Sequence, residues 1–105
     1  MILTIFYPAS GCTRFDEDYY AQTHIPLLRS LWGGLIDHVE QISFPPEDGG
    51  TAPYRMITIV RFPGERAFGE AMAHPRIAEL QADVAAFTDC VPDVHVGRVA
   101  GTRGS

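Results

Sequence analysis

Cysteine is scarce, at two in 105 residues. Cys12 and Cys90 lie far apart and form no CxxC pair. That excludes a disulfide-dense scaffold, and the expectation is two free thiols, buried as small hydrophobes, in a reducing cytoplasm. Positive charge is also short: Lys and Arg total 8 against 13 Asp and Glu, for a net charge of −5. A nucleic-acid partner needs a basic footprint, so none is expected, and the same deficit argues against an anionic membrane surface. No apolar run approaches the roughly 20 residues of a membrane helix. The opening Met1-Ile2-Leu3-Thr4-Ile5-Phe6-Tyr7 lacks a basic leader segment and reads as a strand. GxGxxG, Walker A and GxSxG motifs are missing. The histidines His24, His38, His74 and His95 lack HExxH or zinc-finger spacing, so neither metal nor cofactor is expected.

What is present is one ordinary globular domain, 46% hydrophobic and 20% charged. Residues 1–7 are apolar on both faces, the mark of a central strand covered on both sides. Pro8 to Gly11 ends it. Residues 16–32 read as a helix, with Asp16 as N-cap and Glu17 and Asp18 favourable in its first turn. Tyr20, His24, Leu27, Leu28 and Leu31 recur at helical spacing. Pro26 lacks the N–H that would bond the Gln22 carbonyl, which predicts a kink at His24–Pro26. Gly33-Gly34 closes the helix.

Residues 35–44 alternate loosely with a polar load, as an edge strand would. Residues 45–50 are a loop by composition. Residues 54–62 form a second apolar strand. A helix follows around Ala67, Phe68, Ala71 and Met72, interrupted at His74-Pro75. Pro75 suits the first position of a new helix with the stripe Ile77, Leu80, Val84 and Phe87. Residues 91–99 form a last strand, marked as an edge by Pro92. The domain is expected over 1–100, with 101–105 a flexible tail.

Strand–helix–strand, twice over, predicts an α+β, ferredoxin-like βαββαβ fold: a four-stranded antiparallel sheet with both helices on one face. Its central strands carry Leu3 and Ile5 against Ile2 and Phe6, and Met56 and Val60 against Ile57 and Ile59. Helices cover one face only. The apolar remainder predicts a homodimer through the sheet face, with Arg55 and Arg61 snorkelling at its rim.

Chemistry points to Tyr20 and His24, i and i+4 on one helix face, with Tyr19 beside them. An imidazole exchanges protons near neutrality and a phenol donates to a developing oxyanion. The competing reading is that these aromatics are core and that His24 only satisfies a carbonyl freed by Pro26. His74 at its helix break and Trp32 as a pocket wall are candidates for substrate binding, as is Tyr7 at the strand end. His38 and His95 fall on edge strands whose parity does not fix their direction.

Phe6-Tyr7-Pro8, then Phe15-Asp16-x-x-Tyr19-Tyr20-x-x-x-His24-x-Pro26-Leu27, resembles the EthD family of the dimeric α/β-barrel superfamily. The Ala73-His74-Pro75 break looks similar too. The resemblance implies two sheets closing a barrel across a dimer and a cleft between sheet and helices in each subunit. Relatives in that superfamily include cofactor-free monooxygenases, polyketide cyclases, muconolactone isomerases and haem-dependent enzymes. His24 and Tyr20 match the EthD pattern directly. Ile77 stands where some of the cyclases have a histidine, two residues after the proline. The expected function is cofactor-independent acid/base chemistry on a carbonyl or aromatic metabolite, with His24, Tyr20 and Tyr19 catalytic. The alternatives are a non-catalytic ligand-binding or accessory dimer, including an accessory protein of an oxidoreductase system; a haem-handling enzyme; and a structural dimer without a ligand.

Overall fold

The computed structural model describes residues 1–44 and 52–101. The expected loop at 45–50 and nearly all of the expected tail lie outside the described residues. The strands are β1 (Ile2–Pro8), β2 (His38–Ser43), β3 (Tyr54–Arg61) and β4 (Asp93–Gly97). They form one sheet in the order β2-β3-β1-β4, with every neighbouring pair antiparallel. The two most apolar strands are central and the two polar ones are edges, as expected for βαββαβ. The edges are shorter than their sequence patterns. Leu35 and Ile36 belong to the turn after the first helical region, both donating to the Trp32 carbonyl, and Val91 is 83% exposed ahead of β4.

Residues 16–32 are helical in three parts. Asp16 caps α1 (Glu17–Tyr19) by accepting from the Tyr19 N–H at 3.0 Å. A π-helical turn, Tyr20–His24, follows, and then α2 (Ile25–Trp32). The break anticipated at Pro26 takes a specific form: the Ile25 N–H reaches back five residues to the Tyr20 carbonyl. Pro26 then sits in the first turn of α2, where its missing N–H costs nothing. Gly33 closes α2 by close approach, since a Cβ there would lie 2.6 Å from the Arg29 carbonyl oxygen.

The second helical region is α3 (Glu65–Met72), α4 (Ile77–Ala82) and α5 (Val84–Phe87). Pro75 does not open α4. It lies in a turn that His74 organises, the imidazole Nδ1 accepting from the Arg76 N–H and the carbonyl from the Ile77 N–H, each at 3.0 Å.

The helices cover the sheet face that carries Leu3, Met56, Thr58 and Val60, all buried. One core cluster gathers Leu3, Leu28, Leu31, Trp32, Val60 and Phe62. A second holds Tyr7, Tyr20, Met56 and Phe87. Its aromatic rings meet mostly edge-on, with Tyr7 5.9 Å from Tyr20 and 5.7 Å from Phe87. Each such ring buries roughly 150–250 Å², worth at most about 4–6 kcal/mol at 25 cal/mol/Å². The opposite sheet face carries Ile2, Phe6, Ile57 and Ile59, only half-buried.

Two expectations are corrected. Cys12 and Cys90 are not separate thiols: they form a disulfide, with Cα atoms 4.9 Å apart. Pairing of β4 with β1 brings the chain just after β1 beside the α5–β4 turn, a closeness hidden by 78 residues of sequence separation. The bond also removes the free-thiol argument for a cytoplasmic location. Arg55, for its part, does not share the rim with Arg61. The β1–β3 register jumps between Tyr7↔Met56 and Pro8↔Tyr54, so Arg55 has no partner on β1 and the alternation of faces breaks there. Its guanidinium pairs with Glu17 at 2.8 Å and lies over the Phe15 ring.

Candidate active site

The π-helical turn presents both Tyr20 and His24 inward, with three exposed residues between them. Their rings stack at 5.7 Å, and His24 also meets Phe87 at 4.6 Å. From the far end of the chain, the junction of α4 and α5 brings in Asp83. The His24 Nδ1 lies 2.9 Å from its Oδ2, and the Tyr19 hydroxyl donates to its Oδ1 at 2.7 Å. A carboxylate accepts, so Nδ1 carries the proton and Nε2 keeps the free lone pair. Nε2 makes no hydrogen bond to any described residue. Burial pulls the His24 pKa below its ordinary value, outweighing the Asp83 hydrogen bond that raises it. The imidazole is therefore neutral at neutral pH. The same carboxylate pushes the Tyr19 phenol up, mainly through the hydrogen bond.

His24 lines a cavity of about 290 Å³ between sheet and helices. Its sheet wall is Leu3, Ile5, Tyr7 and Val94; its helical wall is Leu28, Trp32, Ile77 and Leu80. Gln81 and Met72 stand among the lining residues that remain exposed. An apolar pocket with a few polar groups suits a small organic ligand.

The site residues expected from sequence fall into three sets. His24, Tyr7 and Trp32 line the cavity, the Trp32 indole N–H donating to the Ala71 carbonyl at 3.1 Å. Tyr19 and Tyr20 stand behind them. Tyr19 holds Asp83, and the Tyr20 hydroxyl is bonded to Thr58 in the core. His74 lies outside the lining, bound into its own turn. His38 and His95 are both exposed on the edge strands; His38 sits near Glu40, and His95 lies edge-on to Phe6. Asp83 was missed. Its signal was a carboxylate set between Leu80 and Val84 of an apolar stripe.

Among the described residues, the one group of potential ligands close enough for a metal is Cys12, Asp89 and Cys90. The donor set does not fit one. The sulfurs are bonded to each other, and the Asp89 oxygens already accept from the Thr13 N–H, the Thr13 hydroxyl and the Arg14 N–H. Those bonds hold the Asp89 carboxyl down at about 2. Lysine is absent from the sequence, so no side-chain amine is available for imine chemistry.

The EthD domain family model matches residues 14–90. The chain belongs to the EthD family. An EthD-like protein from Ralstonia eutropha JMP134 superimposes with a TM-score of 0.80 at 22% identity, covering 97% of this chain and 93% of that one. An ethyl tert-butyl ether D (EthD) family protein from Bacillus halodurans C-125 gives 0.65 at 14% identity, over 92% and 97%. SnoaB, a cofactor-independent oxygenase from Streptomyces nogalater, gives 0.60 at 9% identity, over 94% and 92%. Identities this low establish the shared fold. No curated protein matches the sequence significantly. His24 and the tyrosines at 19 and 20 fall inside the matched EthD segment, as does Asp83.

Proposed function

We propose that this EthD protein is a small-molecule enzyme that moves a proton on a carbonyl or aromatic metabolite without a bound cofactor. The observation that carries the reading is the His24–Asp83 pair, which leaves the other ring nitrogen proton-free on a residue that lines an apolar cavity. Nε2 is the acid/base atom and touches the substrate. Asp83 positions the ring, fixes its tautomer and stabilises the imidazolium that forms. Tyr19 holds Asp83 in turn. Proton abstraction next to a carbonyl is the shared first step of isomerisation, cyclisation and oxygenation. The fold's likeness to a cofactor-independent oxygenase supports this class of chemistry.

The test is solvent deuterium exchange, followed by NMR, across a panel of enolisable ketones and hydroxyaromatics. Exchange should occur in the wild type and be lost in His24→Ala. Exchange that survives His24→Ala removes the assignment. Binding without exchange favours the second reading, a ligand-binding or accessory protein, which the apolar walls of the cavity would serve equally well.

The same proposal includes a homodimer. The half-buried Ile2, Phe6, Ile57 and Ile59 form an apolar stripe on the sheet face that no helix among the described residues covers, and a second copy of that face complements it.

A further inference from the structure

Tyr7 lines the cavity, and the residue is only 1% exposed. Its hydroxyl makes no hydrogen bond to any described residue, unlike those of Tyr19 and Tyr20. Nor is it sealed away. Among the described residues, the one fully enclosed polar side-chain atom without a partner is a nitrogen of Arg55. The open space that the residue lines is the cavity. Burial pushes its pKa up, so the phenol stays protonated and can only donate. A donor left without an acceptor in an apolar surround is unfavourable, and a ligand oxygen placed there satisfies it.

Charge restricts that ligand. Neither Arg nor a charged imidazole is among the lining residues, and Asp83 stands just behind His24. An anionic group entering this space would lose water with no cation to pair with. A neutral one would not.

Resting on the reading of His24 as the base, we propose that Tyr7 is a second catalytic residue, and that the substrate binds as a neutral, flat, apolar molecule whose carbonyl or phenolic oxygen accepts its hydrogen bond. The C–H bond next to the carbonyl breaks and its proton goes to Nε2 of His24. The electron pair moves onto the carbonyl oxygen, giving an enolate that the Tyr7 O–H stabilises. The imidazolium keeps its other N–H on Asp83. The proton returns to the same carbon or a conjugated one, and nothing is oxidised or reduced. Charge thus develops only during reaction, where the site is built to receive it.

The test compares 2-naphthol, 2-naphthoate and naphthalene by calorimetry at pH 7, with the indole N–H signal of Trp32, the one tryptophan in the chain, reporting occupancy by NMR. Wild-type protein should bind 2-naphthol at least tenfold more tightly than 2-naphthoate. Tyr7→Phe should weaken 2-naphthol roughly tenfold and leave naphthalene within about twofold. Gln81→Arg, which adds a cation among the lining residues, should shift preference towards 2-naphthoate. Tighter binding of 2-naphthoate by the wild type overturns the proposal, as does an unchanged 2-naphthol to naphthalene ratio in a folded Tyr7→Phe. So does failure of every neutral probe to bind at millimolar concentration.

Deuterium exchange at the α-carbon of α-tetralone separates this proposal from the one it rests on. Exchange lost in His24→Ala but unchanged in Tyr7→Phe overturns the role of Tyr7 and leaves His24 in place. The expected binding pattern with no exchange in the wild type overturns His24 as catalyst and supports the neutral ligand on Tyr7.

Discussion

Asp83 accepts from the Nδ1 of His24 at 2.9 Å across 59 residues of sequence, and that single bond fixes which imidazole nitrogen carries the proton. Asp83→Asn tests it. An amide can offer its own N–H to Nδ1, which moves the ring proton to Nε2 and removes the base. We expect kcat/KM to fall about 100-fold or more, with KM little changed. Nitrogen-15 NMR should show the tautomer shifting. Wild-type kcat and tautomer in the Asp83→Asn variant would show that Asp83 only packs.

The depressed pKa of His24 has a pH signature. In the unfolded chain the ring titrates near 6.5, and in the folded protein it titrates lower. Between those values the unfolded state binds more protons, so stability rises with pH through that window. The contribution is complete above about pH 6.5 and declines on acidification below it. Urea midpoints measured across this range should fall towards acid, and His24→Gln should flatten the dependence. The base limb of kcat/KM should likewise lie below pH 6.5.

Tyr20 and Thr58 satisfy each other inside the core. Tyr20→Phe keeps the ring contacts but strands the Thr58 hydroxyl, which is 1% exposed. A loss of about 1–3 kcal/mol in unfolding free energy is expected. Proton exchange catalysed by His24 should persist. Its disappearance from a folded Tyr20→Phe protein would return Tyr20 to the reacting centre.

Reducing the Cys12–Cys90 bond opens a loop of 78 residues. Chain entropy sets an upper value of about 4.5 kcal/mol for the stability lost. The Asp89 carboxylate on Thr13 and Arg14, and the Arg14 guanidinium on the carbonyls of Ala85 and Ala86, should hold the junction together once reduced. Urea unfolding with and without reductant should therefore show a lower midpoint and an unaltered folded-state NMR spectrum. Equal midpoints would mean that the bond contributes nothing.

Ile59 lies at the middle of the uncovered stripe, opposite Thr4 on β1 and Glu40 on β2. Ile59→Glu adds an unpaired carboxylate to the proposed interface and should convert a dimer to a monomer by light scattering. A wild-type protein that is monomeric at low micromolar concentration would sink the dimer itself.

Much of the architecture was legible because period and polarity agreed. Strands apolar on both faces had to be central, and strands with a polar load had to be edges. His24 was legible because a proline two residues on advertised a disturbed helix. Asp83 was not, since a carboxylate beside an apolar stripe looks like a solvated helix face until the break between α4 and α5 turns it inward. Arg55 was misplaced because strict alternation was carried through a register jump that only the pairing reveals. The disulfide was hidden for a similar reason: the adjacency of β1 and β4 belongs to the sheet and leaves no mark on cysteine spacing.

The π-helical turn at Tyr20–His24 makes this site sensitive to counting as well as to chemistry. Its five-residue reach means that the segment holds one residue more than an α-helical path would use. Deleting one of the solvent-facing Ala21, Gln22 or Thr23 would change no inward-facing residue type and remove no contact of the cavity wall. It would close the π-helical turn to an ordinary α-helical one, narrowing the wide backbone step that separates Tyr20 from His24. A single codon at the surface thus sets the spacing between two stacked rings, one of which belongs to the cavity wall.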